Sequence, residues 1–138
     1  MGLLDRFKKT TKESLLKYLQ DRISDKSSLE DIVNVFEEMC SIPIEGDMIL
    51  FETGTYSFTG ERMFNFSLVR QFPNDEEEYY QIHVDVLYVS VEGNKEFEQS
   101  TWNEDIDENI FNYIKKSPEY DFCKDKELSK VEIYLDET

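Results

Sequence analysis

Residues 62–72 read RMFNFSLVRQF, and apolar and polar side chains alternate along the first half of this stretch. Phe64, Phe66 and Leu68 share one parity, and the polar residues between them share the other. In a β-strand, a period of two places each parity on its own face of the sheet. The stretch therefore predicts a strand with one apolar face, and it decides the fold class of the chain.

The same period of two recurs before and after this stretch. It predicts strands at about 48–58 with a break at Gly54, at 80–91, at 97–101 and at 128–135. Short segments with turn-forming residues join neighbouring strands, at 59–61, 73–77 and 92–94. Strands that follow one another through short turns pair in antiparallel fashion. We therefore expect an antiparallel sheet of about five strands.

Two amphipathic helices are predicted before the first strand. The first lies within residues 1–30, and we expect residues 1–12 to form a frayed basic amphipathic extension of it. The second begins at Ser27, whose side chain fits a capping box with Glu30. Pro43 ends this helix, because proline cannot continue the backbone hydrogen bonds.

A third helix is predicted from about Glu104 to Ser117, where apolar residues recur at three- and four-residue spacing. Acidic residues fill its first turns and two lysines its last, which suits the helix dipole. Pro118 ends it. The element order is then ααββββαβ, which is typical of an α+β domain with helices packed on one face of the sheet. We assign residues 1–138 to a single domain.

The composition excludes several classes of protein. Ten Phe and eight Tyr in 138 residues are too many for a disordered chain. No apolar run approaches the roughly 20 residues that a membrane-spanning helix requires. The formal charge of −16 argues against direct binding to nucleic acid. The absence of Ala and the abundance of Lys, Asn and Ile indicate an AT-rich genome, and we interpret the chain as bacterial.

The cysteines and the start of the sequence bear on the compartment. Cys40 and Cys123 lie far apart in unrelated surroundings, which favours two reduced thiols over a disulfide framework. Residues 1–12 have charges but no apolar core of the kind that a secretory signal contains. We therefore expect a cytoplasmic protein.

Residues that could carry catalysis are scarce. His83 is the only histidine, so any Ser-His-Asp or Cys-His arrangement would include it. It shares the more polar face of its strand with Asp85, but a metal site would need further ligands that the sequence does not mark. We predict no catalytic residue, no metal site and no cofactor, and hence a protein that is not an enzyme.

Arg70 departs from the pattern of its strand. It shares the parity of Phe64 and Leu68, so an unbroken strand points it toward the apolar face. A buried guanidinium needs a partner, because an unpaired buried charge strongly destabilises the fold. The alternatives are a carboxylate partner at the sheet margin, a bulge that turns the side chain outward, or a pocket or interface. Together with His83 and Asp85, Arg70 is the candidate for a small-ligand pocket.

The negative charge is unevenly distributed. Residues 1–30 carry a net charge of +2 and residues 31–138 carry −18. Acidic residues are concentrated at predicted loops and turns that one edge of the fold could bring together. The candidate partner-binding residues are Asp75, Glu76, Glu77, Glu78, Glu96, Glu98 and Asp105. Dense like charge opposes folding but speeds association with an oppositely charged partner. We therefore predict a non-enzymatic binding module, an inhibitor of the immunity or antitoxin type, whose partner is a basic protein.

Other functions remain open at this point. One is a dimeric chaperone or adaptor that clamps an extended segment on an exposed apolar sheet surface, and another is a domain with a small-ligand pocket near Arg70. Leu3, Leu4 and Phe7 with nearby lysines could also touch an anionic membrane. We do not expect membrane contact, because the acidic body would be repelled by the same surface.

Overall fold

The structure, a computed structural model, describes residues 11–58, 61–73, 79–89, 98–102, 109–124, 126 and 128–137. In this part of the chain, two helices precede four consecutive strands, and two short helices and a last strand follow. The helices are α1 (Lys12–Arg22), α2 (Leu29–Cys40), α3 (Ile110–Lys116) and α4 (Pro118–Cys123). The strands are β1 (Met48–Phe58), β2 (Glu61–Pro73), β3 (Tyr79–Val89), β4 (Glu98–Trp102) and β5 (Lys130–Glu137). The α+β class and the antiparallel sheet are confirmed. The predicted order is matched only approximately, because two short helices replace the predicted third.

The sheet has the strand order β4-β1-β2-β3-β5, and every neighbouring pair is antiparallel. β2 lies at its centre, with Phe66 opposite Thr53 of β1 and Val86 of β3. The parity predicted for β2 is confirmed, since Phe64, Phe66 and Leu68 are fully buried. The central position explains why this stretch has the clearest pattern in the sequence.

The helices pack on one face of the sheet, which we call the inner face. Leu15 and Leu19 of α1 and Phe36 of α2 are buried against it, and the ring of Phe36 lies 6.1 Å from that of Phe111 in α3. The sheet residues in this core are Ile49, Phe51, Phe64, Phe66, Leu68, Phe72, Ile82, Val84, Val86 and Tyr88. The polar residues of opposite parity therefore lie on the other face.

Every strand matches its predicted bounds to within two residues, but β1 and β5 differ from their predictions in one respect each. β1 continues through Gly54 without the predicted break, and Gly54 pairs with β2 on one side and β4 on the other. β5 begins two residues later than predicted, at Lys130. Val131, Ile133 and Leu135 nevertheless keep the predicted common face and pack against the core.

The N-terminus of α2 lies one residue further along the chain than predicted. The Ser28 side chain accepts a hydrogen bond from the backbone N–H of Asp31 at 3.1 Å, so Ser28 is the N-cap. The predicted capping box of Ser27 with Glu30 is therefore wrong. Ser27 Oγ instead accepts from the backbone N–H of Ser24 at 3.0 Å and closes the turn before the helix.

The predicted third helix is wrong at its N-terminal end, whereas its predicted end at Ser117 is confirmed, since Ser117 is the C-cap of α3. α3 is capped by Asn109, whose side chain accepts from the backbone N–H of Phe111 at 2.8 Å. The acidic residues at 104–108 thus precede this helix and do not fill its first turn. Pro118 begins α4 with Ser117 as the N-cap, and does not simply end α3. Proline suits a first helical position because the N–H that it lacks would have no partner there.

The predicted basic extension lies mostly outside the described residues, which begin at Thr11. Thr11 and Ser14 form a capping box at the start of α1. Lys12 Nζ lies 3.0 Å from Glu137 Oε1 and 3.3 Å from the centre of the Tyr80 ring. The start of α1 is thereby attached to β3 and β5. Among the described helices, none is long and apolar enough to cross a membrane.

Candidate interaction face of the sheet

The second face of the sheet, which we call the outer face, lies opposite the helices and is mainly polar. Strand parity gives its members, which include Glu52, Asn65, Ser67, Gln71, Tyr79, Gln81, His83, Asp85, Lys130, Glu132, Tyr134 and Asp136. Leu50 and Val69 are cross-strand neighbours on this face and are buried, but they do not belong to the helix-side core. Two of the residues predicted from the sequence, His83 and Asp85, both lie here.

His83 is held in a row of amide side chains. Its Nε2 lies 3.0 Å from Gln81 Oε1, and Gln81 Nε2 donates to Gln71 Oε1 at 2.6 Å. Gln81 and Gln71 are directly opposite each other on β3 and β2. The imidazole therefore has a fixed position on the outer face.

Asp85 is the point where three strands are linked by side chains. The hydroxyl of Ser67 on β2 donates to its Oδ1 at 2.5 Å, and the hydroxyl of Tyr134 on β5 donates to its Oδ2 at 2.9 Å. Ser67 is only 3% exposed, so its hydroxyl depends on this carboxylate for a partner. The sequence did not predict either partner, because both come from other strands.

Tyr134 is exposed and yet rigidly held. It is one of the exposed large hydrophobic side chains, with 38% of its surface accessible. Its ring stacks on His83 with the ring centres 4.7 Å apart and the planes 5° from parallel. Burial raises the pKa of its hydroxyl, and the hydrogen bond to Asp85 and the charges of Asp136 and Glu132 raise this pKa further. The hydroxyl therefore stays protonated and keeps donating to Asp85.

Carboxylates predominate around this tyrosine. Asp85 lies on β3, and Glu132 and Asp136 flank Tyr134 two residues away on the same face of β5. The cation next to them in the chain, Lys130, is paired with Glu132 at 2.6 Å. This part of the outer face therefore combines an accessible aromatic ring with a surplus of negative charge.

The cluster does not have the geometry of a hydrolase site. In a catalytic triad the histidine lies between the hydroxyl and the carboxylate. Here Ser67 bonds directly to Asp85, and His83 Nε2 is next to the amide oxygen of Gln81. Within the described residues no group of three or more His, Cys, Asp or Glu side chains could hold a metal ion.

Arg70 lies on the opposite face from His83 and Asp85, so the three candidate pocket residues are not brought together. Its side chain is fully buried. Nε and Nη2 each lie 2.9 Å from Asp47 Oδ2, Nη1 donates to the carbonyl of Met39 at 2.9 Å, and Nη2 donates to that of Ile42 at 2.5 Å. Of the alternatives open for Arg70, a carboxylate partner at the sheet margin describes this arrangement. Arg70 joins β2 to the C-terminal end of α2.

A groove of about 320 Å³ lies between the C-terminal end of α2 and the start of α3, and Glu37, Cys40, Asn109 and Phe111 are among its lining residues. Burial raises the pKa of the Cys40 thiol far above its usual range. A thiol in this state is protonated at neutral pH and is a poor nucleophile. The groove therefore offers no activated cysteine.

The predicted partner-binding acids lie mainly outside the described residues. Asp75, Glu76, Glu77, Glu78, Glu96 and Asp105 belong to this group, and Glu98 is the first residue of β4. The segment 74–78 connects Pro73 to Tyr79, and the segment 103–108 follows Trp102; these strand ends lie at the same end of the sheet as Met48.

The segment that contains Glu96 begins at the other end of the sheet, and Glu98 lies between the two ends. The segment 90–97 connects Val89, which pairs with Met63, to Glu98, which pairs with Gly54. Twelve residue steps separate the ends of β2, so the two ends of the sheet are about 40 Å apart. The segments that contain the predicted acids therefore start at both ends of the sheet, whereas Glu98 is only four residue steps from Trp102.

Tyr79 and Tyr120 both stand next to acidic residues in the sequence, but the structure gives them different surroundings. Tyr79 is 49% exposed on the outer face, whereas Tyr120 is buried at 8%. Tyr134 was not predicted as a site residue. Its signal in the sequence is its alternation with Ile133 and Leu135 on the last strand, which places it on the polar face. Its position beside His83 depends on the pairing of β5 with β3, and local sequence does not contain that information.

Comparison with protein-family models, with curated proteins and with solved structures finds no match to the chain. The chemistry of the outer face is therefore the basis on which a function can be inferred.

Proposed function

We propose that the protein is a non-enzymatic binding module whose outer face contacts a basic protein, as an inhibitor of the immunity or antitoxin type would. The observation that carries the proposal is the cluster of Tyr134, His83 and Asp85. It presents an accessible ring, fixed in position and surrounded by carboxylates, on a face that no described helix covers.

The rigidity of the cluster favours binding to a partner. Ordering a mobile side chain at an interface costs about 0.5–1.5 kcal/mol. Folding already orders the Tyr134 side chain, because its hydroxyl bonds to Asp85 and its ring stacks on His83. Binding of a partner therefore does not incur this cost again. Tyrosine is also among the residues that contribute most to binding energy at protein interfaces. A preorganised tyrosine is therefore a suitable anchor for a protein partner.

The charge of the molecule favours a basic partner. The formal net charge of −16 creates a long-range field that speeds encounter with a cationic surface. Glu132 and Asp136 extend this charge to the outer face, next to Tyr134. Such a complex should weaken as salt is added, because screening acts on exposed charges.

The chaperone alternative is less well supported by the outer face. A clamp for extended apolar segments needs an exposed apolar sheet surface. In the described part of the chain, the exposed large hydrophobic side chains are Tyr79 and Tyr134, and Leu50 and Val69 are buried. The contact chemistry that this face offers is thus aromatic and acidic.

Affinity capture with the full chain tests the proposal. We expect a basic protein from a lysate of the source organism to bind at about 50 mM salt and to be released at about 500 mM, where screening is strong. The double variant Glu132→Gln/Asp136→Asn should capture much less of it. The matched control Glu13→Gln/Asp21→Asn makes the same change in charge on α1 and should capture as much as the wild type. Capture that is insensitive to salt, or equally reduced in both variants, would contradict the proposal.

A further inference from the structure

Tyr18 shows how this protein holds a cation. Its hydroxyl donates to Glu38 Oε2 at 2.9 Å, which connects α1 to α2. The guanidinium carbon of Arg22 lies 3.7 Å from the centre of the Tyr18 ring. A tyrosine next to a carboxylate attracts a cation in two ways, through the negative face of the ring and through the carboxylate charge. Here the chain supplies the cation itself.

Tyr80 repeats the arrangement with a lysine. Tyr80 on β3 is directly opposite Glu137 on β5. Lys12 Nζ lies 3.3 Å from the centre of the Tyr80 ring and 3.0 Å from Glu137 Oε1. A second tyrosine and carboxylate therefore hold a cation from another element of the same chain.

Tyr134 and Asp85 are a third such pair, and they lie on the outer face. The Tyr134 hydroxyl donates to Asp85 Oδ2, as the Tyr18 hydroxyl does to Glu38. Glu132 and Asp136 add two more carboxylates within range of the ring, since their charges raise the pKa of its hydroxyl. Among the described residues, no Lys or Arg side chain lies over the Tyr134 ring, and the ring remains 38% exposed.

We propose that the Tyr134 ring, with Asp85, Glu132 and Asp136 around it, is the site that takes an arginine side chain of the basic partner protein. This inference rests on the proposed function, because it names the chemical group that the outer face recognises. His83 stacks on one side of the ring and fixes it, and the guanidinium occupies the accessible remainder. Asp85 and Asp136 neutralise the charge of the guanidinium, whereas Glu132 is already paired with Lys130.

Arginine fits this site better than lysine does. The guanidinium is planar and weakly hydrated, so it stacks on an aromatic ring while its N–H groups still reach carboxylates at the edges. The ammonium of lysine is compact and strongly hydrated, and it gains less from the ring. A preference for arginine therefore separates a ring-centred site from a diffuse acidic surface, which would attract both cations alike.

Two peptide probes test the site with the full chain at low salt. We expect hexa-arginine to bind about three to five times more tightly than hexa-lysine, which is the scale of an exposed cation–π contact. Tyr134→Leu keeps an apolar side chain on the strand and should abolish this preference. Tyr79→Leu removes another exposed tyrosine from the same face and should leave the preference unchanged. Asp136→Asn keeps the ring and should weaken the binding of both peptides.

The outcomes separate this site from the proposed function. Equal affinity of the two peptides for the wild type, or an arginine preference that survives in Tyr134→Leu, would overturn the arginine site and leave the basic-partner proposal standing. Binding of neither peptide at low salt would overturn both proposals.

If circular dichroism shows that Tyr134→Leu does not fold, Tyr134→Phe takes its place in the test. This variant keeps the aromatic ring but loses the hydrogen bond to Asp85. We then expect Tyr134→Phe to show a reduced arginine preference, and an undiminished preference would contradict the role of Asp85.

Discussion

The guanidinium of Arg70 is fully removed from solvent, and its hydrogen bonds explain how the fold tolerates it. Asp47 supplies a counter-charge, and the carbonyl oxygens of Met39 and Ile42 accept from the remaining nitrogen atoms. A helix leaves its last carbonyl groups without intrahelical partners, and Met39 belongs to the last turn of α2. Arg70 is therefore a structural residue that satisfies this helix end.

Replacement of Arg70 by methionine should destabilise the protein. Arg70→Met leaves Asp47 without its counter-charge and the Ile42 carbonyl without the guanidinium donor, while the Met39 carbonyl keeps only its backbone hydrogen bond from Ile42. Removing one partner of a buried pair costs about 3 kcal/mol or more. Arg22→Met, at an exposed arginine of α1, should cost less than about 1 kcal/mol. The free energy of unfolding in urea measures both changes. An Arg70→Met variant as stable as the wild type would contradict this role.

The sequence predicts which way Arg70 points but not what it meets. The parity of residues 62–72 is a local property, so the inward direction follows from the sequence alone. Asp47 is 23 residues away, and it reaches Arg70 only because α2 ends at Cys40 and the chain turns back into β1. For the same reason Asp85 was predicted on a polar face while its partners on other strands were not.

At the scale of the elements, strand parity was predictable and helix ends were less so. A strand buried on one face needs its apolar residues in alternate positions, and a shift by one residue would expose all of them. A helix end depends on one or two hydrogen bonds, for which neighbouring polar residues compete. Ser27 and Ser28 are such neighbours, and Pro118 suits the start of a helix as well as its end.

The position of the α2 N-cap gives a prediction at this scale. Ser28→Ala removes the acceptor for the backbone N–H of Asp31 and should lower the free energy of unfolding by about 1 kcal/mol. Ser27→Ala removes only a turn contact with Ser24 and should cost clearly less. Chemical denaturation of the two variants side by side measures the difference. A larger loss for Ser27→Ala would place the cap where the sequence pattern first suggested it.

At the scale of the whole molecule, one face of the sheet forms the core and the other is accessible to solvent. The inner face carries the aromatic and aliphatic side chains that pack against the helices. On the outer face, Tyr134 is exposed, and His83 and Asp85 are partly exposed. The acid-rich segments attach at both ends of the sheet, which the sequence did not predict because strand order and direction are long-range properties. The outer face lies between these ends, and it is the surface on which we propose that a basic partner binds.

Mapping of bound hexa-arginine on the isotope-labelled full chain by nuclear magnetic resonance shows directly whether the outer face is the binding surface. The outer face is predicted to respond, with the largest amide shift changes at residues 81–85 of β3 and 132–136 of β5. Changes in α1 and α2 should be small, because both helices lie on the other side of the sheet. Largest changes in the helices, or changes spread evenly over the chain, would contradict the claim that the outer face is the binding surface.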